Sequence, residues 1–257
     1  MVLCELLNII ESVAPRGWQE EWDNSGLQVG NRNAEITAAL LTTDITEAVV
    51  SEAISLGCDL IISHHPLLFH GLKQVCGQTP QARCVEMAIK HNIAIYSAHT
   101  SMDSALHGVS GRMAEVIGMQ QYRILVSAAD DVSHGLGVIG ELPQPMTMAQ
   151  LLDTVKTAFG AAWLRYVDSP KQTVQRIALC GGAGAEFIGE AIAQKADVYI
   201  TADVEYHEFQ AAVGQIGVID MDHWVSEHFT RDIFAELLSN HVKTYIAQTD
   251  NTPVKIV

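Results

Sequence analysis

Leu60-Ile-Ile-Ser-His-His-Pro66 is the stretch on which the reading of this chain turns. Asp59 to Ile62 reads as a short buried strand, and Pro66 stops it. His64 and His65 therefore stand at the carboxyl end of a strand, where open α/β sheets present side chains to ligands. Neighbouring residues in extended backbone point to roughly opposite sides. The pair is thus expected to serve two neighbouring ions, or one ion and one substrate, better than to chelate a single ion. Taken alone, His-His before Pro reads equally well as a polar loop, so the surrounding chain has to decide.

That strand is one of a series. Residues 2–14 carry Leu3, Leu6, Leu7, Ile10 and Val13 at helical spacing, and Pro15-Arg-Gly17 ends the helix. Trp22-Asp-Asn-Ser-Gly-Leu-Gln-Val-Gly30 reads as a loop entering a short strand. Ala38 to Thr43 is a strand, Asp44 to Thr46 supply cap-type side chains, and Glu47 to Leu56 is a helix that Gly57 closes. After the His-His strand come a helix over about 80–91 and a strand over Ile93 to Ala98. The latter ends in His99-Thr-Ser-Met-Asp103, and a helix over 108–117 follows.

From Val174 the pattern repeats, with a strand over Arg176 to Cys180, a helix over Ala185 to Gln194 and a strand over Asp197 to Thr201. Glu52-Ala-Ile-Ser-Leu-Gly-Cys-Asp-Leu-Ile-Ile-Ser63 aligns with Glu190-Ala-Ile-Ala-Gln-Lys-Ala-Asp-Val-Tyr-Ile-Thr201, which sets His64 and His65 opposite Ala202 and Asp203. A strand over Ile216 to Ile219 leads to His223-Trp-Val-Ser-Glu227, opposite His99 to Asp103. In both halves a buried strand delivers a histidine followed four positions later by a carboxylate. Duplication combined with alternating apolar strands and helices predicts two similar α/β lobes related by a pseudo-two-fold axis. The expected boundaries are 1–118 for the first lobe and 173–257 for the second, the two fused into one compact unit. Residues 119–172 are expected to connect them, with a strand over Gly135 to Glu141, a helix over Thr147 to Phe159 and a strand over Trp163 to Val167.

Imidazoles and carboxylates gathered at strand ends suit Zn, Mn, Fe, Co or Ni, whereas Ca and Mg prefer all-oxygen shells. A His and an acid four positions apart at a helix start share one face. Asp103 and Glu227 are the carboxylates able to bridge two ions. Two ions about 3.5–4 Å apart polarise a substrate oxygen and lower the pKa of a bridging water, giving a hydroxide nucleophile at neutral pH. A single His-x3-acid pair is a common surface feature; two at equivalent places beside His-His-Pro point to metal. His207, in Asp203-Val-Glu-Tyr-His-Glu208, reads either as a proton donor or as part of a helix-start capping cluster. Gly181-Gly-Ala-Gly184 reads as a tight turn, since it lacks the full phosphate-loop spacing. His91, His107, His134 and His241 are expected to face solvent.

Composition narrows the classes. With 257 residues, 48% of them hydrophobic, the chain can bury a large core. A net charge of −15 argues against binding a nucleic-acid backbone, which needs clustered Lys and Arg. No apolar run approaches the roughly 20 residues of a membrane span, and Met1-Val-Leu-Cys-Glu-Leu-Leu7 lacks the basic region of a signal peptide. Cys4, Cys58, Cys76, Cys84 and Cys180 are odd in number with no Cys-x-x-Cys spacing, as expected of reduced thiols in a cytoplasmic protein.

Six motifs together resemble the Nif-three-like family, whose members are called GTP cyclohydrolase 1 type 2 homologues. They are Trp22 to Gly30, Ser63-His-His-Pro66, Ser97-Ala-His-Thr-Ser-Met-Asp103, Cys180-Gly-Gly-Ala-Gly184, Thr201-Ala-Asp203 with Tyr206-His207, and His223 to Glu227. The resemblance spans nearly the whole chain and matches the family's short form. It implies two α/β lobes around a dinuclear metal cleft, assembled as a toroidal homohexamer. It carries the metal ligands onto His64, His65, Asp103, His223 and Glu227, with Glu227 bridging, and sets His99 beside the metals. Asp222 and Ala202 stand where the family has glycine, so access to the cleft is expected to differ while the ligands stay intact. The implied function is hydrolysis of a purine nucleotide or related heterocycle by metal-bound hydroxide, with His99 or His207 shuttling protons and two divalent transition-metal ions as cofactors. The alternative is a non-catalytic metal-binding, metal-delivery or interaction scaffold protein.

Overall fold

The computed structural model describes residues 1–128 and 131–257. In chain order its elements are α1 (Leu3–Val13), β1 (Gly26–Val29), β2 (Ala38–Thr42), α2 (Glu47–Leu56), β3 (Leu60–Ser63), α3 (Pro80–Lys90), β4 (Ala94–Ser97), the single turn α4 (Thr100–Asp103) and α5 (Val109–Val116). There follow β5 (Gln120–Ala128), β6 (Asp131–Met146), α6 (Met148–Phe159), β7 (Arg165–Val167), β8 (Val174–Ala183), α7 (Ile188–Ala193), β9 (Val198–Ala202), α8 (Tyr206–Ala212), β10 (Gly217–Met221), α9 (His223–Glu227), α10 (Thr230–Leu238) and β11 (Lys243–Ile246). The helix ends follow their cap chemistry. Thr46 accepts a hydrogen bond from Val49 N at the start of α2, and Gly57 closes that helix at φ +68°. Thr147 and Gln150 form a capping box on α6, which ends at Gly160.

The chain divides into two compact units. The first comprises Met1–Met102 with Thr230–Asn251, the second Asp103–Phe229 with Thr252–Val257. In the first unit the strand order is β1-β4-β3-β2-β11. Here β2, β3, β4 and β11 run parallel, while β1 is antiparallel on the β4 edge. Every residue of β2, β3 and β4 is buried, as parallel strands covered on both faces require. Leu40, Ile61 and Ile95 share a core with Val49, Val50 and Ala53 of α2 and Cys84, Val85 and Ala88 of α3. Leu3, Leu6, Leu7 and Ile10 of α1 are fully buried as well, matching their helical spacing.

The second unit has the order β5-β6-β8-β9-β10-β7. Its central strands β8, β9 and β10 are parallel, and β5, β6 and β7 join antiparallel. One core holds Met113, Leu151, Val155, Phe159, Leu179 and Ile200. A second gathers Leu125, Ile139, Tyr199, Ile188 and Val218.

The duplication read from the sequence is visible bond by bond. Each sheet has three consecutive parallel strands (β2-β3-β4 and β8-β9-β10) with an antiparallel strand beside the third. Asp59 and Asp197, aligned by sequence, do the same work. Asp59 accepts from Thr37 N at 2.9 Å and Ala38 N at 3.2 Å, and Asp197 accepts from Gln175 N at 2.8 Å and Arg176 N at 2.9 Å. Their own backbones bond onward equivalently, Ala94 N to Asp59 O and Gly217 N to Asp197 O.

Two features differ from the sequence reading. Within residues 119–172, β5, β6 and β7 join the second sheet, where β6 pairs with β5 and β8 and β7 with β10. Thr230–Asn251 returns to the first unit, where β11 pairs with β2. The compact units divide the chain at 102/103, 229/230 and 251/252; the sequence reading sets boundaries at 118 and 172. Among the solvent-facing histidines expected, His134 is instead largely covered, with 16% of its side chain exposed. Among the described residues no helix is long and apolar enough to cross a membrane, and all five cysteines are free thiols.

Candidate functional site

In the first unit the hydrogen-bond ladder runs two residues beyond β3. His64 N donates to Thr42 O and His65 N to Thr43 O, while the Ser63 hydroxyl donates to His65 O. This fixes both histidines at the carboxyl edge of the sheet, and β4 delivers His99 to the same edge. One nitrogen from each of His64, His65 and His99 lies within 4.8 Å of the others, a group that could hold a metal ion. The rings of His64 and His65 are 4.9 Å apart, so the adjacent side chains do not diverge as alternation suggests.

The three imidazoles are oriented by one device. His64 Nδ1 faces Ala98 O at 3.1 Å, His65 Nδ1 faces Asp44 Oδ1 at 2.8 Å, and His99 Nδ1 faces Asp23 Oδ1 at 2.8 Å. A carbonyl or carboxylate oxygen only accepts, so each Nδ1 carries a proton and donates it. Metal-binding histidines are held in this way, by an acceptor on the second ring nitrogen. Asp23 is itself fully engaged, accepting from the Ser25 and Thr100 hydroxyls and from Thr100 N. Burial alone would raise its pKa, but the bonds from His99 and Thr100 hold the carboxyl well below the usual carboxylate range. Asp23 is therefore an anion that keeps His99 in one orientation.

The second unit contributes its own donors. Asp222 caps α9 by accepting from Val225 N, so His223 opens the helix and Glu227 follows one turn later on the same face. His223 Nδ1 meets Asp203 Oδ2 at 2.6 Å, and His223 Nε2 meets Glu227 Oε2 at 3.1 Å. Burial alone would lower the His223 pKa, yet the two flanking carboxylates push it up to about 11. Asp203 reaches His223 from a left-handed backbone, φ +56°, a conformation that few non-glycine residues adopt. Asp103 and Glu227 are both buried. Gly182, at φ +64°, lies directly under Glu227: a Cβ there would sit 2.2 Å from Glu227 Oε1. Gly182 N also donates to Ser226 Oγ at 2.9 Å. Gly181 to Ala183 are thus the last residues of β8, packed against α9, where a tight turn was expected.

The donor set, imidazole nitrogens with carboxylate oxygens, fits a divalent transition metal. The other expected residues fall as follows. His207 is exposed on α8, with Nδ1 3.3 Å from Gln210 Oε1. Asp222, expected to alter access to the cleft, is buried and spends its carboxylate on Val225 N and the Thr252 hydroxyl. Ala202 is also buried, as the last residue of β9. Sequence reasoning missed Asp23, Asp44 and Asp203 as the groups that orient histidines. For two of them the signal was position, since Asp203 directly follows β9 and Asp44 lies two residues beyond β2.

Comparison with known proteins places the chain in a family. A Clostridium perfringens protein named GTP cyclohydrolase 1 type 2 homolog is 36% identical over 229 residues, covering 88% of this chain and 87% of the relative. A Lactococcus lactis protein of the same name is 34% identical over 260 residues, covering 98% of each. The crystal structure of a Bacillus cereus protein related to NIF3 superposes with a TM-score of 0.90 at 25% identity, covering 98% of both chains. The family model Duf34/NIF3 (NGG1p interacting factor 3) matches residues 1–253, which include every histidine and carboxylate described above. On the strength of that match along almost its whole length, the chain belongs to the Duf34/NIF3 family.

Proposed function

We propose that this chain is a metal-dependent hydrolase that holds two divalent transition-metal ions and acts on a purine nucleotide or related heterocycle. The observation that carries the metal is the clustering of His64, His65 and His99, one nitrogen of each within 4.8 Å of the others, with every Nδ1 held by an oxygen acceptor. His64, His65, Asp103, His223 and Glu227 are the proposed ligands, with Glu227 bridging. Five protein ligands for two ions leave positions open, which suits chemistry better than a purely structural site. Such ions supply Lewis-acid polarisation of a substrate oxygen and lower the pKa of water.

The protein's own groups set the geometry. Asp44, Asp23 and Asp203 fix the rings of His65, His99 and His223. His99 is the residue placed to carry a proton: Asp23 holds its Nδ1, and Nε2 is left to accept or release the proton. His207, on the exposed face of α8, receives no role in this scheme. The substrate class rests on the name borne by the relatives, GTP cyclohydrolase 1 type 2 homolog, and the proposed homohexamer on the resemblance to the family.

The test is turnover of GTP and other purine nucleotides by metal-loaded protein, separated chromatographically. Turnover that vanishes in His64→Ala, with circular dichroism unchanged, supports the proposal. Two bound ions with no turnover of any purine nucleotide would replace it with a metal-binding or metal-delivery role.

A further inference from the structure

The segment Trp22 to Gln28 does more than lead into β1. Asp23 orients His99, and the Ser25 hydroxyl accepts from His99 N at 3.1 Å. Asn24 and Gln28 reach the loop after β3: Asn24 Nδ2 donates to Leu68 O at 2.6 Å, and Gln28 Oε1 accepts from Leu68 N at 2.7 Å. Gln28 Nε2 in turn donates to Asn24 O, which ties the two braces together. The two loops are therefore held in register, and each carries one large aromatic side chain out of the core. Trp22 is 60% exposed and Phe69 is 40% exposed. Their ring centroids are 5.8 Å apart at 53°, and each lies against His99, at 5.9 Å for Trp22 and 6.2 Å for Phe69.

An exposed aromatic is ordinary when single. Two of them, braced by four hydrogen-bonding side chains and set against a histidine of the candidate metal group, form a built surface. We propose that Trp22 and Phe69 are a stacking platform for a planar heteroaromatic ring, positioned so that the bound ring lies beside His99. The rings are too close to sandwich a third between them, since each stacked interface needs about 3.5 Å. The ligand ring instead lies on the outer face of one aromatic with its edge toward the other, an arrangement favoured by their tilt. Stacking on aromatic side chains tolerates any π-face, so the platform selects a flat ring and leaves the choice among rings to other groups. A net charge of −15 makes a small molecule a better occupant than a nucleic-acid strand. The assignment deepens the proposed purine-type substrate and rests on that reading.

The experiment is calorimetric binding of guanosine monophosphate, with ribose 5-phosphate as the ringless control, to metal-loaded wild type, Trp22→Ala, Trp22→Phe and Phe69→Ala. Nucleotide turnover and particle mass are measured on the same samples. Loss of one stacking residue is expected to weaken guanosine monophosphate binding about 5- to 150-fold, with no change for ribose 5-phosphate. Trp22→Phe should retain most of the affinity while losing ligand-induced quenching of tryptophan fluorescence. Wild-type affinity in both alanine variants, or no binding of guanosine monophosphate to the wild type, overturns the platform. A change of particle mass in Trp22→Ala with unaltered ring binding overturns it too, and makes this face a contact between copies. Ring binding that depends on Trp22 without turnover keeps the platform and removes the hydrolase reading. Turnover with Trp22-independent KM does the reverse.

Discussion

Adding one methyl group at Gly182 should displace the carboxylate proposed to bridge the metals. The Cβ of Gly182→Ala would lie 2.2 Å from Glu227 Oε1, 3.2 Å from Glu227 Cδ and 3.4 Å from His223 Cε1. Ordinary contact requires the carboxylate to retreat by roughly 1 Å. It cannot do so into solvent, because Glu227 is 3% exposed. Overpacking of this kind costs about 1–3 kcal/mol, and a left-handed alanine adds about 1–2 kcal/mol. At about 2–4 °C per kcal/mol for domains of comparable size, the unfolding temperature should fall roughly 4–20 °C. Gly160→Ala separates the two contributions, since Gly160 has the same φ of +64° but nothing within 4 Å of a Cβ. That variant should show the backbone cost alone and keep wild-type metal affinity. Gly182→Ala should bind metal at least about 10–100-fold more weakly, the range seen when groups that orient ligands are lost. The assay is scanning calorimetry of the metal-free variants, followed by metal titration against a competing chelator. Equal unfolding temperatures and equal metal affinity in the two variants would refute the reasoning.

Three further outcomes are expected. Asp44→Asn should lower metal affinity about 10–100-fold, with the circular dichroism spectrum retained, because His65 loses the carboxylate that fixes its ring; wild-type affinity would show that Asp44 does not position a ligand. Asp197 ion-pairs with Lys171 and accepts from two backbone N–H groups, bonds that hold its carboxyl below the ordinary value against the opposing effect of burial. Its ionised form therefore favours the folded state. The stabilisation is complete above about pH 4, the unfolded value, and is lost as pH falls through the lower folded value. Asp197→Asn should cost about 1–3 kcal/mol at neutral pH and flatten the acid limb of the stability curve, which urea melts from pH 3 to 7 will read. Chelation of metal from the purified protein should lower the unfolding temperature, since a ligand held by the folded state at 100 times its Kd contributes about 2.7 kcal/mol. Re-addition should restore it, and an unchanged unfolding temperature would contradict a site occupied in solution.

The strand ends were legible because their apolar runs stop at polar, proline or glycine positions, and Asp59 and Asp197 sit at matching places in the repeated pattern. What escaped is long-range or shared with many residues. Lys243-Thr-Tyr-Ile246 has a mixed, partly polar pattern, and nothing local announces that it pairs with Ala38 to Leu41, some two hundred residues earlier. Asp23, Asp44 and Asp203 are three among 30 acids, and only the fold shows that each ends on a histidine Nδ1. Trp22 to Gly30 was readable as a loop entry because its side chains have separate partners, on His99, Thr100 and Leu68, that lie far along the chain. Gly182 looked like turn chemistry, since the residue that demands its missing side chain is Glu227, 45 positions later.

The most direct test of the proposed dinuclear centre is elemental analysis of protein purified without chelator, in parallel with Glu227→Ala. About two divalent transition-metal ions per chain are expected in the wild type, with a sharp fall in the variant because the proposed bridging carboxylate serves both ions. One ion or none, with the same content in Glu227→Ala, would contradict it and leave the histidine cluster of the first unit as a binding site without a bridging partner.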